Sequence, residues 1–264
     1  MNPSLSYHSD QRSQTQNLGI LRYSLIRAVV FWIFFWISVA VTVFRIAREY
    51  YSGDNTISPL ERSKRSHTIC CLWGKFLLTK SPGWSFRVEG RENLPQDHAF
   101  VVVSNHISSV DILALFAINF QFRWLSKQEV FSMPLIGTAM RMVGYVPVKR
   151  GDEKSHKRAF ELSAEWLAKG IAMVFFPEGS RSVDGKLKEF KTGAFRLAIN
   201  ENVPVVPIVL EGTGDMLRKG TLIPNPAQVN IKILPPISAL ENEEPRAFSE
   251  RIRAVYLKET INEI

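Results

Sequence analysis

This sequence predicts an α/β fold, with a largely parallel central sheet and flanking helices, preceded by an apolar N-terminal helical segment. Two observations carry that reading. From about Trp84 onward, short β-rich runs alternate with helical stretches, the pattern of strand–helix–strand crossovers. Before it, Ala28–Phe44 runs without a single charge, between Arg22 and Arg27 on one side and Arg45 and Arg48 on the other. The 264 residues, 45% of them hydrophobic, suffice for one sizeable α/β domain plus an appendage. With 22% charged and 11% aromatic residues the chain is not of the disordered class.

Residues 1–19 are polar, rich in Ser, Gln and Asn, and expected to form a tail. Residues 20–83 are expected to be membrane-anchoring apolar helices with a basic linker. As a helix, Ala28–Phe44 spans about 25 Å against a hydrocarbon core of roughly 30 Å, a shortfall that snorkelling arginines can cover. Thr68–Thr79 is a second apolar stretch with one lysine, and the polar Glu49–His67 is the expected turn between the two. A single-pass anchor and an in-plane hairpin both fit this pattern. A secretory signal does not, because the apolar run continues past Ala40 and ends in arginines. Of the net charge of +8, residues 1–84 carry +6, so the basicity accompanies the apolar run and suits an anionic lipid surface. Nucleic acid is excluded as a partner, because no aromatic-and-Arg platform or DNA-binding motif is present. The adjacent Cys70 and Cys71 form neither a bridge nor a zinc site and read as small apolar residues, in keeping with a reducing compartment.

Residues 84–264 are the α/β domain. Strands are expected at Ala99–Val103, Arg123–Ser126, Tyr145–Val148, Ile171–Phe176, Val205–Leu210 and Val229–Leu234. Helices are expected at Ile112–Ile118, Gln128–Met142 with a break at Pro134, Glu153–Lys169 between an Asp152 cap and a Gly170 stop, Gly193–Asn200 and Pro245–Glu259.

Four segments carry chemistry. Ser104-Asn105-His106-Ile107-Ser108-Ser109-Val110-Asp111 follows a strand and opens a helix, where catalytic groups of open α/β sheets lie. Residues five apart on one helix sit about 140° around its axis, so His106 belongs in the loop and Asp111 in the first helical turn, reaching back. A carboxylate on one imidazole nitrogen leaves the other as a general base. Ser108 and Asp111 also spell a capping box, so Asp111 equally reads as a cap. Phe176-Pro177-Glu178-Gly179-Ser180-Arg181-Ser182 offers Arg181 for two-point phosphate binding, Gly179 for close backbone approach and Ser180 as a donor; Glu178 and Arg181 could instead form a surface ion pair. Gly144–Arg150 ends a strand in Lys149-Arg150, and Val203–Val209 carries no ionisable group and reads as scaffold or acyl-pocket wall. There is no G-x-S-x-G elbow, and His8, His67, His98 and His156 show no metal-ligand spacing.

In this order, the four segments resemble the glycerolipid acyltransferase family, in particular its 1-acylglycerol-3-phosphate acyltransferases, with the patterns N-H-x-x-x-x-D, G-x-x-x-x-x-R, F-P-E-G-[ST]-R-S and V-P-[IV]-x-P-[IV] all within residues 104–209. The resemblance implies that His106 and Asp111 are catalytic, that Arg150, Glu178, Gly179, Ser180 and Arg181 line the acceptor site, and that Lys127 binds phosphate. It implies a membrane enzyme moving a fatty acyl group from acyl-CoA or acyl carrier protein to lysophosphatidate, giving phosphatidate, with no cofactor or metal, on the cytoplasmic face of the inner or plasma membrane. Ser180 stands for the commoner Thr, and Lys149 precedes the Arg where other residues are usual, which leaves a lyso-aminolipid acceptor open. A non-catalytic lipid-binding protein of the same fold is the alternative from another class.

Overall fold

The computed structural model describes residues 3–182 and 186–261, with side chains described for 24–182 and 186–259. The side chains of the polar tail expected at 1–19 lie outside the described residues.

Helix α1 (Pro3–Tyr50) and helix α2 (Pro59–Lys80) precede the sheet. Ser58 caps α2, accepting the Glu61 N–H at 3.1 Å, and Pro59 occupies its first turn, where a missing N–H costs nothing. The turn expected over Glu49–His67 is therefore shorter, because capping pulls 59–67 into the helix. The domain continues through β1 (Trp84–Glu89), β2 (Val101–Ser104), α3 (Val110–Ile118), β3 (Phe122–Lys127), α4 (Gln128–Phe131), α5 (Ile136–Val143), β4 (Val146–Val148), α6 (Glu153–Ala168), β5 (Ala172–Phe175), α7 (Gly193–Asn200), β6 (Val205–Glu211), α8 (Thr213–Met216), β7 (Ala227–Ile233) and α9 (Pro245–Ile261). The strands form one sheet in the order β1-β7-β6-β2-β5-β3-β4. Every neighbouring pair is parallel except β6–β7. The expected strands and helices are found within a residue or two at most ends. Asp152 caps α6 through the Ser155 N–H, and Pro134 separates α4 from α5. Strand β1 and the short α8 carried no apolar run in the sequence. Only alternate residues of β1 point inward at the sheet edge, and the others are partly or fully exposed.

Side chains alternate across the central strands. Val102, Val174, Val206, Ile208 and Leu210 join a core with α2 and α3, while Val101, Val103, Met173, Val205 and Val209 join one under α7 and α9. Helix α2 belongs to the first core: His67, Cys70, Cys71, Leu77 and Leu78 are buried, and a Cβ on Gly74 would lie 2.4 Å from the Phe116 Cβ. The second apolar stretch is thus a core helix crossing α3 at a glycine.

Helix α1 is two-faced. Phe31 packs on Trp84, Phe35 on Trp73, the Trp73 indole N–H donates to Ser38 Oγ at 3.0 Å, and Ile46 is fully buried. Ile26, Val30, Ile33, Ile37, Val41 and Phe44 form an exposed stripe at helical spacing on the other side. Among the described residues, Ser24–Tyr50 is one helix long and apolar enough to cross a membrane, with a mean hydropathy of 2.2.

Candidate active site

The site is built where the central strands end. Strand β2 stops at Ser104, yet the side chain of Asn105 prolongs its pairing with β6: Nδ2 donates to the Leu210 carbonyl and Oδ1 accepts the Leu210 N–H, both at 2.8 Å. The amide copies a backbone unit, so His106 leaves the sheet from a fixed point. One step earlier, the buried Tyr256 hydroxyl of α9 stands between the two strands, donating to the Val103 carbonyl at 2.6 Å and accepting the Ile208 N–H at 3.1 Å.

His106 Nδ1 lies 2.7 Å from Asp111 Oδ2. The same oxygen accepts the backbone N–H groups of Ile107 at 2.7 Å and Ser108 at 2.9 Å. The two readings of Asp111 therefore coincide in one atom, which caps the turn and orients the imidazole. Asp111 is fully buried, and the His106 side chain keeps 18% exposure. A carboxylate facing Nδ1 demands the proton there, so Nε2 carries the lone pair. The ring is stacked on Phe176 at 4.0 Å, which holds its plane.

The backbone of His106 is gripped from the Phe176–Ser182 turn. Glu178 Oε1 accepts the His106 N–H at 2.9 Å, and Ser182 donates its own N–H to the His106 carbonyl at 2.8 Å. The other oxygen of Glu178 accepts the Lys188 N–H at 3.1 Å. Glu178 is only 6% exposed, and among the described residues it forms no ion pair with Arg181. The surface ion pair that the sequence left open is not formed, because two backbone donors occupy the carboxylate.

The cationic residues gather on the same edge. Arg150, just beyond β4, donates to the Gly179 carbonyl. Gly179 has φ +68°, and Lys191 lies where its Cβ would be. Lys127 ends β3 opposite Val148 of β4, two residues from Arg150. Arg181 is half-buried, and its carbonyl accepts from Lys188 Nζ at 2.9 Å and Lys219 Nζ at 3.3 Å. Lys188 also donates to Ser180 Oγ at 3.0 Å. Sequence reasoning missed Asn105 as a bridging side chain, along with Tyr256, Lys188, Lys191 and Lys219. The dense K-L-K-E-F-K run after the turn was a readable signal for two of them.

Residues 85–211 match the Acyltransferase family model. Over 178 residues the chain is 43% identical to the chloroplastic 1-acyl-sn-glycerol-3-phosphate acyltransferase LPAT1 of Arabidopsis thaliana, covering 67% of this chain and 49% of that protein. Over 177 residues it is 30% identical to the human 1-acyl-sn-glycerol-3-phosphate acyltransferase alpha, covering 65% of this chain and 62% of that one. The crystal structure of the 1-acyl-sn-glycerophosphate acyltransferase PlsC from Thermotoga maritima matches with a TM-score of 0.74 at 27% identity, over 90% of this chain and 95% of that one. The chain spans about half the length of the chloroplastic relatives from Arabidopsis thaliana and Brassica napus that it matches. The matched region runs from β1 through β6 and contains His106, Asp111 and the whole Phe176–Ser182 turn, so residues 85–211 form a domain of the Acyltransferase family.

Proposed function

We propose that the protein transfers a fatty acyl group from a thioester donor, acyl-CoA or acyl carrier protein, to the free hydroxyl of 1-acylglycerol-3-phosphate, yielding phosphatidate. The observation that carries this reading is the His106–Asp111 pair at 2.7 Å, with no partner on Nε2 among the described residues. In the reaction, Nε2 takes the proton of the acceptor hydroxyl as its oxygen attacks the thioester carbonyl. Asp111 stabilises the imidazolium that forms. Collapse of the tetrahedral intermediate forms the ester, breaks the C–S bond and returns the proton to the departing thiolate. Arg181, Arg150 and Lys127 bind the acceptor phosphate, Arg181 through its planar two-point donor geometry. Glu178, Gly179 and Ser180 shape the turn that presents Arg181.

The exposed stripe of α1 is the membrane contact in this reading. Its other face is docked on the domain from Phe31 to Ile46, so the helix lies in the interface plane beside the sheet. The cytoplasmic face of the inner or plasma membrane is the location we infer. Purified protein assayed with a labelled acyl donor against lysophosphatidate, a neutral monoacylglycerol and a lyso-aminolipid tests the proposal. Labelled phosphatidate from lysophosphatidate alone supports it, and transfer only to another acceptor rejects it.

A further inference from the structure

The segment after α8 joins three features within nine residues. At its start, the Leu217 carbonyl accepts Ser108 Oγ at 2.7 Å, which ties it to the His106–Asp111 turn. Next comes a tight turn, Arg218–Thr221, closed by the Thr221 N–H on the Arg218 carbonyl at 3.1 Å, with Gly220 at φ +87° as a type II turn requires. It presents Arg218 and Lys219 side by side, both exposed, and Lys219 reaches the Arg181 carbonyl. The chain then runs onto α1. The Trp32 indole N–H donates to the Leu222 carbonyl at 2.7 Å, Arg27 donates to Asn225 Oδ1 at 3.3 Å, and the Trp84 indole N–H donates to the Asn225 carbonyl at 2.8 Å.

Between this segment and α1 lies an open groove of about 610 Å³, walled by Val29, Trp32, Ile33 and Trp36 on the helix and by Leu222 and Ile223 on the segment. Its walls are apolar, and Leu222 remains 70% exposed although its backbone is pinned. Leu222 is three residue steps from Lys219, so the cationic turn and the groove are at most about 11 Å apart along the chain. Leu222 is five residue steps from Leu217, about 18 Å at most. An apolar trough with a cationic rim, tied at one end to a catalytic turn, complements a molecule with one alkyl chain and an anionic head.

We propose that this groove holds the alkyl chain of the acceptor, a single-chain phosphate lipid, with Arg218 and Lys219 receiving its head group on the way to Arg181; the proposal rests on the acyl-transfer reading above and adds a chain-binding subsite to it. Ile33 and Ile37 of the exposed stripe line the groove, which is therefore open to the lipid layer, so the chain slides in without crossing water. Because each buried methylene changes affinity about fourfold, the site favours long chains over short ones.

The test uses the full chain in nanodiscs with a fixed acyl donor, comparing oleoyl and hexanoyl lysophosphatidate. Wild type is expected to prefer the oleoyl acceptor in kcat/KM, and Ile33→Trp or Val29→Trp, which fill the groove, to lower the oleoyl-to-hexanoyl ratio about tenfold, the equivalent of under two methylenes. Val41→Trp, on the exposed stripe but outside the groove, is expected to keep the ratio. An unchanged ratio in both filling variants, or an equal fall in Val41→Trp, overturns the proposal. A second readout needs no turnover: lysophosphatidate brominated on its chain should quench tryptophan emission saturably, less in Trp36→Phe, and unlabelled lysophosphatidate should displace it where equal phosphatidylglycerol does not. Absent or non-saturable quenching also overturns the groove. Saturable quenching without any acylation of lysophosphatidate leaves the groove standing and rejects the acyl-transfer reading instead.

Discussion

Glu178 accepts the backbone N–H of His106 at 2.9 Å, which makes the turn after β5 a brace for the His106 loop after β2. Seventy-two residues of sequence separate the two, yet they form one rigid unit, because the second oxygen of the same carboxylate holds Lys188. Glu178→Gln puts an NH2 group opposite a backbone donor. The expected result is a loss of about 1–3 kcal/mol of stability from the broken charge-assisted bond. A kcat fall of about tenfold to a hundredfold should accompany it as His106 shifts. Calorimetry and steady-state kinetics check both, and wild-type values in each would refute the brace.

Asp111 performs two tasks with one oxygen, and a double-mutant cycle separates them. His106→Ala is expected to reduce kcat by about 10²–10⁴ with little loss of stability, since the ring is partly exposed. Asp111→Asn should reduce kcat comparably and also lower Tm, because two backbone donors lose their anionic acceptor. In the His106→Ala background the kcat effect of Asp111→Asn should vanish while the Tm loss persists. If the kcat effects multiply instead, the two residues do not act as a pair.

Both oxygens of Glu178 accept backbone N–H groups, so in the proposed reading Arg181 turns to the acceptor phosphate instead. Arg181→Lys keeps the charge but loses the planar fork, so the KM for lysophosphatidate is expected to rise about tenfold with donor KM unchanged. Lys127→Ala should be non-additive with it. Unaltered acceptor KM in both single variants would remove phosphate binding from these residues.

His67 introduces a pH dependence of stability. Its ring is fully buried between the Tyr145 hydroxyl at 3.0 Å and the Phe120 carbonyl at 3.0 Å. Burial first, and then the nearby Arg123 guanidinium, hold its pKa well below the usual 6.5. The unfolded chain takes up a proton near 6.5 while the folded one resists it. The stability is therefore complete above that pH and declines as pH falls toward the depressed value. Urea midpoints should drop between about pH 7.5 and about pH 5, and His67→Gln, which keeps both hydrogen bonds, should flatten that slope. An identical slope in the variant would assign the acid sensitivity elsewhere.

The two apolar segments should respond differently to substitution. Val30→Glu and Val41→Glu lie on the exposed stripe of α1 and should weaken flotation with anionic vesicles without moving Tm. Gly74→Leu on α2 should unfold the protein, because the new side chain meets the Phe116 Cβ and the Leu113 carbonyl. Vesicle binding that survives both α1 changes would place the lipid contact on another surface.

The sequence by itself determined the α/β alternation, the break at Pro134, the Asp152 cap, and the placement of His106, Glu178 and Arg150 just past strand ends. These follow from local physics, since periodicity, capping and proline act within a few residues. Tertiary structure decided which partners those residues take. Whether Asp111 caps or orients, whether Glu178 meets Arg181 or the His106 backbone, and whether Thr68–Thr79 lies in lipid or core were all undetermined by spacing. Each depends on hydrogen bonds or packing across the chain: Asn105 to Leu210 over 105 residues, Ser108 to Leu217 over 109, and Tyr256 to Val103 over 153. Such contacts leave no mark on local pattern, because any strand end supplies the same donors and acceptors until the sheet order brings one particular pair together.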